Sequence, residues 1–240
     1  MRICTAPPFS SETVDETTRD AAGPAGNGTA RWHAHDLLRL RHLRHFDGEP
    51  AWVRDAFAHA PFAVVRRAQA AAGFVAIGMR GTRRAERYGT WAQAFDVEAT
   101  IAPEDLVDAA PLSNRRTLPA FIALTALQRD AANLKRFVWG PAGSVGFELA
   151  THVPTVTASS DLDLLIRAPE SLPKEAAVAL LAELQWHAER EGIRIDAQLE
   201  TPAGGIALAE LAAGKAHVIA RHAQGPRLVA DPWFVKTDDA

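Results

Sequence analysis

The stretch GPAGSVGFELATHVPTVTASSDLDLLIRAP, Gly140 to Pro169, decides how the rest of the chain is read. It ends in Asp161-Leu162-Asp163-Leu164-Leu165-Ile166, two carboxylates one residue apart inside an apolar run. Side chains two apart on a strand share a face. Asp161 and Asp163 should therefore point one way and Leu162 and Leu164 the other, into a core. Ahead of them, RFVWG reads as a strand that runs into a Gly-rich turn, and SVGFELAT as a short helix opening at Gly143-Ser144. A turn of that kind offers backbone N–H groups and the positive end of a helix dipole, with the Ser144 hydroxyl as a further donor.

Downstream elements continue the alternation. Lys174 to Glu191 has the spacing of an amphipathic helix closed by Gly192, with Ala177, Leu180, Leu181 and Leu184 as its core stripe. IRIDAQLE alternates as a strand, placing Ile193 and Ile195 on one face and Arg194, Asp196 and Gln198 on the other. IALAELAAGK reads as a further helix ended by Gly214. Such an order implies an α+β sheet flanked by helices. If the Asp161-x-Asp163 strand and the Asp196 strand are neighbours, three carboxylates converge. Clustered anions repel one another unless a cation neutralises them. A hard divalent ion does so, and Mg²⁺ takes oxygen ligands completed by waters and phosphates. Two such ions, about 3.5–4 Å apart, would clamp the attacking and leaving oxygens of an in-line displacement at phosphorus. The ordered set, Gly-Ser then Asp-x-Asp then a third strand Asp, is that of a nucleotidyltransferase.

The chain ahead of this half has a different character. Residues 1–30 are rich in Ser, Thr, Gly, Pro and acid without an apolar period, which predicts a disordered leader. FAVVRRA and GFVAIGMRG read as two short strands joined through AQAAA, and Asn114 to Leu134 as a helix with Leu118, Phe121, Ile122, Leu124 and Leu127 at helical spacing. A boundary near Pro111 divides a small mixed α/β domain, 31–112, from a nucleotidyltransferase-like domain, 113–240, with a mixed sheet. Between Arg31 and Thr90 stand eleven arginines, no lysine and five acidic residues, whereas the whole chain carries a net charge of −3. The first half is built to meet anions and the second to hold cations, unless the arginines are a solvated surface.

Several classes are excluded by composition. The apolar runs are short and broken by charge, so no membrane helix is expected. No basic-then-apolar signal sequence opens the chain, and one cysteine, Cys4, makes neither a disulfide framework nor a Cys-based zinc site. A cytoplasmic protein is expected. The arginine-rich half lacks interleaved aromatics, which argues against nucleic acid.

The run Trp139 to Arg167, then IDAQLE and GPRLVADPW, together with HDLLRL (His35–Leu40) and VAIGMRGTRRAERYG (Val75–Gly89), resembles the holo-acyl-carrier-protein synthases of malonate decarboxylase. That family is a phosphoribosyl-dephospho-CoA transferase. The resemblance covers nearly all of the chain after about residue 30. It implies transfer from 2′-(5″-triphosphoribosyl)-3′-dephospho-CoA to a serine of the apo acyl-carrier subunit, with attack at the α-phosphorus and release of pyrophosphate. It implies that Asp161 and Asp163 hold Mg²⁺, in two ions, that Asp196 completes the site and helps deprotonate the serine, and that Gly143 and Ser144 bind the β and γ phosphates. Arg167 either grips a substrate phosphate or forms a salt bridge with one of the aspartates. Arg80, Arg83, Arg84 and Arg87 grip dephospho-CoA phosphates or an acidic carrier face. Glu148, one helical turn beyond Ser144, stands behind the site, and His152 is a packing or capping residue. His33, His35, His42 and His45 lack the carboxylate or Cys support a metal needs. Two other readings stay open: a nucleotidyltransferase with another nucleotide and acceptor, and a non-catalytic carrier-binding module.

Overall fold

The computed structural model describes residues 2–3, 31–83 and 85–234, and of 2–3 the backbone alone. Residues 1 and 4–30 of the expected leader, and Arg84, lie outside the described residues. The described chain is α+β, with two six-stranded sheets in two compact units, residues 1–100 and 101–240.

The first unit contains β1 (Arg2–Ile3), β2 (Leu37–Leu40), β3 (Phe62–Val65), β4 (Phe74–Arg80), β5 (Arg87–Gln93), β6 (Val97–Ile101) and α1 (Trp52–His59). Its sheet runs β1-β5-β4-β3-β2-β6. β3, β4 and β5 form an antiparallel meander, in which β3 and β4 are the two strands expected of FAVVRRA and GFVAIGMRG and β5 is a third that the sequence reading did not name. Alternation in β4 sends Val75, Ile77 and Met79 into a core with Tyr88 and Ala92 of β5, Leu38 and Leu40 of β2, and Val53 of α1.

The second unit holds β7 (Val138–Pro141), β8 (Leu162–Arg167), β9 (Ile195–Thr201), β10 (Gly204–Ala207), β11 (Val218–His222) and β12 (Gly225–Val229). Its sheet runs in the order β12-β11-β10-β9-β8-β7. Its helices are α2 (Pro119–Asp130), α3 (Gly143–Thr151), α4 (Lys174–Glu191) and α5 (Leu208–Ala212). β8 and β9 are parallel and joined through α4, because parallel neighbours need a long crossover. The other pairs in this sheet are antiparallel. The α4 stripe is buried at Ala177, Leu180 and Leu184, with Leu181 half-buried, and Gly192 closes the helix at φ +65°.

Local differences from the sequence reading have identifiable causes. The helix expected over Asn114–Leu134 starts at Pro119, whose fixed φ suits the first helical position, and is flanked by 3-10 turns at 113–115 and 134–136. The segment IALAELAAGK begins as strand, because Ile206 and Ala207 pair with Leu199 and Gln198, and only Leu208–Ala212 is helical. The two units divide between Thr100 and Ile101, whereas composition pointed to Pro111. The 3-10 turn Pro103–Leu106 belongs to the second unit: Leu106 and Pro103 are buried there, and Glu104 bonds to Arg167 of β8.

Candidate active site

The Gly-Ser turn and the Asp strand come into direct contact. Pro141 of β7 is the register partner of Leu164, and the Ala142 N–H donates to the Asp163 carbonyl at 2.8 Å. Gly143 then turns the chain with φ +58°, a conformation that costs an L side chain roughly 1–2 kcal/mol. A Cβ there would also press on the Asp163 carboxylate, standing 2.8 Å from its Cγ. α3 begins at this residue with no side-chain cap at Ala142, and its first turn lies beside the Asp163 carboxylate. Ser144, the second helical residue, is buried to 9% exposure.

The strands carrying the aspartates are neighbours. Asp163 and Asp196 are register partners across β8 and β9, so their side chains share a face at cross-strand distance, about 4.8 Å between backbones. Leu162 and Leu164 are buried beneath them. Asp161 immediately precedes β8, and the next residue, Leu162, donates its N–H to the Arg194 carbonyl at 2.9 Å. The Asp196 carboxylate is drawn sideways by Arg194, whose Nε and Nη2 both lie 2.9 Å from Oδ1. Arg194 thus provides part of the neutralisation that the sequence reading gave to a cation. Among the described residues no three His, Cys, Asp or Glu side chains are gathered as a ligand set. The donor chemistry nevertheless fits a hard cation: the ligands are all carboxylate oxygens, two of them in register. Asp196 is 43% exposed at its side chain.

Behind the turn lies a network centred on Glu148, which is 2% exposed. Its carboxylate accepts from Arg115 through Nε at 2.7 Å and Nη2 at 3.0 Å, and from the N–H groups of Thr155 and Val156, each at 2.7 Å. Arg115 also donates to the Val156 carbonyl at 2.6 Å, and the Thr155 hydroxyl donates to the Ser144 carbonyl at 2.9 Å. Burial by itself would raise the Glu148 carboxyl; the Arg115 fork and the two N–H donors outweigh it and hold the group below its ordinary value. The same fork raises Arg115 above its own ordinary value. One carboxylate therefore fixes α3 against the loop that delivers Asp161. The four-residue spacing of Ser144 and Glu148 signals this position in the sequence. Arg115 carries no such signal, because it lies 33 residues away.

Other predicted residues fall elsewhere. Arg167 sits four residues along β8 from Asp163, and its guanidinium meets Glu104 at 3.2 and 3.1 Å. Glu104 is a partner that the sequence reading did not name. Arg80 and Arg87 are in the first unit, directly opposite one another on β4 and β5. Arg83 stands 3.9 Å from Glu86. His152 closes α3 with φ +58°, donating its N–H to the Glu148 carbonyl, so it caps. Trp233 anchors the Asp231 turn through its indole N–H on the Ala168 carbonyl at 2.8 Å. On β11, Arg221 reaches Gln198 at 3.3 Å, a cation near the aspartate strands that the sequence reading missed.

Two family models match consecutive parts of the chain: the phosphoribosyl-dephospho-CoA transferase MdcG N-terminal domain over residues 33–103 and its C-terminal domain over 105–232. A phosphoribosyl-dephospho-CoA transferase of Pseudomonas fluorescens is 39% identical over 208 residues, 86% of this chain and 96% of the relative. One from Pseudomonas aeruginosa is 40% identical over 207 residues, again 86% and 96%. One from Klebsiella pneumoniae is 38% identical over 209 residues, 83% and 95%. No solved structure matches the chain. With both domain models matched in order and identity near 40% along almost the full length of these relatives, the chain belongs to the phosphoribosyl-dephospho-CoA transferase family.

Proposed function

We propose that this enzyme transfers the phosphoribosyl-dephospho-CoA group from 2′-(5″-triphosphoribosyl)-3′-dephospho-CoA to a serine of the apo acyl-carrier subunit of malonate decarboxylase. The observation that carries the reading is the register of Asp163 with Asp196, with the Gly143 turn packed on the Asp163 carboxylate. It joins an anion-accepting helix start to a carboxylate pair on one sheet face, which is what phosphoryl transfer needs. Family membership supports the substrate class.

The serine Oγ forms a bond to the α-phosphorus, the bond from that phosphorus to the pyrophosphate oxygen breaks, and the serine proton leaves to Asp196 or to water beside it. The product is a phosphodiester. The first-turn N–H groups of α3 and the Ser144 hydroxyl hold the β and γ phosphates as charge builds on the leaving group. Asp161, Asp163 and Asp196 would hold Mg²⁺, which when bound neutralises phosphate charge and aligns the reacting oxygens. The Glu148–Arg115 network keeps the Gly-Ser turn at a fixed distance from the carboxylates, so the phosphates meet a preformed site.

The test mixes the protein with apo acyl-carrier subunit, triphosphoribosyl-dephospho-CoA and Mg²⁺ and follows the intact mass of the carrier. A gain equal to the prosthetic group, blocked by EDTA, is the expected result. No gain with a competent carrier and substrate refutes the acceptor and reaction. A gain that persists in EDTA refutes the metal role alone.

A further inference from the structure

The second unit is acidic, with thirteen basic and eighteen acidic residues over 101–240, but the sign reverses in one segment. Residues 211–230 hold Lys215, Arg221 and Arg227 and no acidic residue. That segment folds into β11 and β12, and β12 is an edge of the sheet. Alternation along β11 buries Val218 and Ala220 and exposes Ile219 and Arg221. Ile219 is the register partner of Leu228, so the two share a face, and they are 43% and 72% exposed. An exposed apolar pair on an edge strand is open to another chain unless something occupies it. The Arg221 side chain passes over β10 to donate to Gln198, which lies two residues from Asp196 on β9. Arg221, Ile219 and Leu228 therefore stand on the same sheet face as Gln198, Asp196 and its register partner Asp163.

We infer that the face of the β11–β12 hairpin bearing Ile219, Leu228 and Arg221 is the docking surface for the acceptor protein, the apo acyl-carrier subunit, and that it receives an apolar side chain of the carrier bordered by acidic ones. This role rests on the proposed transfer: a protein acceptor has to lay its serine against the Asp163–Asp196 pair, so the rest of it covers the surface beside that pair. The hairpin is on that face, with Ile219 two strands, roughly 10 Å, from β9. Charge selects the partner. An acidic carrier is repelled by much of this unit and attracted by its cationic segment, which orients it as it arrives. Arg221 meets the neutral amide of Gln198, which leaves the guanidinium charge to a partner. A second copy of this chain suits the surface poorly, because a two-fold contact sets the same cations against each other.

The experiment uses the full chain as wild type, Leu228→Ser, Leu228→Asp and Arg221→Gln. It measures equilibrium binding of the apo carrier subunit and, separately, kcat and KM for the carrier and for triphosphoribosyl-dephospho-CoA. Carrier affinity should fall, and carrier KM rise, about 10-fold in Leu228→Ser and Arg221→Gln, and further in Leu228→Asp, which sets like charge against the carrier. KM for triphosphoribosyl-dephospho-CoA, and kcat at saturating carrier, should hardly move. Carrier binding as tight in Leu228→Asp as in the wild type overturns the surface; if that variant does not fold, Arg221→Gln decides. A wild-type dimer that Leu228→Asp splits, with carrier KM unchanged, gives the surface to a second copy and overturns the inference. Leu228-dependent binding of a carrier that receives no group supports the surface and removes the transfer reading. Transfer with a carrier KM indifferent to both positions keeps the transfer reading and removes the surface, so the two fail separately. A carrier that neither binds nor is modified overturns both.

Discussion

Gly143 and Glu148 show how single residues set this site. Gly143 combines a left-handed φ with a position that a Cβ could not share with the Asp163 carboxylate. Gly143→Ala should therefore cost about 1–2 kcal/mol of stability from backbone strain and displace Asp163. Transfer should fall far more than a lowered melting temperature explains, which steady-state kinetics beside thermal melting would show. Asp163→Asn should abolish transfer while the melting temperature stays near that of the wild type; near-normal transfer would remove the carboxylate from the mechanism. For Glu148 the folded pKa lies below the unfolded value, so its stabilisation is fully present above the ordinary carboxyl pKa, about 4.3, and is lost as pH falls through the lower folded value. Glu148→Gln should thus be clearly less stable than wild type at pH 7, with the gap closing towards pH 3. Melting curves across that range check the sign. The Glu148 position was legible from its spacing to Ser144. Its partner Arg115 was not, because a pair 33 residues apart leaves no periodic trace.

Elements carry different lessons. α4 was readable to its last residue, since an 18-residue amphipathic pattern with a terminal Gly satisfies helix periodicity and capping together. β10 was not, because a four-residue strand beginning Gly-Gly has no pattern of its own; its identity comes from the ladder it makes with β9. β11 and β12 were missed as well, their places being set by the ladder between them and by the pairing of β11 with β10. α4 is also the element that makes β8 and β9 parallel, and so brings Asp163 opposite Asp196. Truncating its core contact, Leu184→Ala, should destabilise by about 2–5 kcal/mol, with residual transfer tracking the folded fraction. A loss of transfer in fully folded protein would mean that α4 acts on the site by some other route.

At the scale of the whole molecule, charge is divided between an arginine-rich first unit and an acidic second one. Attraction between exposed charges is screened over about 8 Å at physiological salt and about 3 Å at 1 M. KM for the triphosphoribosyl substrate should therefore rise steeply with added NaCl while kcat changes less, and Arg87→Ala should flatten the slope. A salt-independent KM would mean that the arginines are a solvated surface.

Residue order alone determined the α+β class, the Gly-Ser turn, the strand that carries Asp163 and the family, since each depends on patterns a few residues long or on identity along the chain. Tertiary structure decided everything that depends on distant neighbours. It put Asp163 beside Asp196, brought Arg167 to Glu104, gave Asp196 its Arg194 partner, and laid the Arg66 stem over Gly78. The physical reason is that periodicity reports which face a side chain takes, whereas a charge is satisfied by whatever the fold brings within about 3 Å of it, and that partner is set by strand register and crossover rather than by spacing.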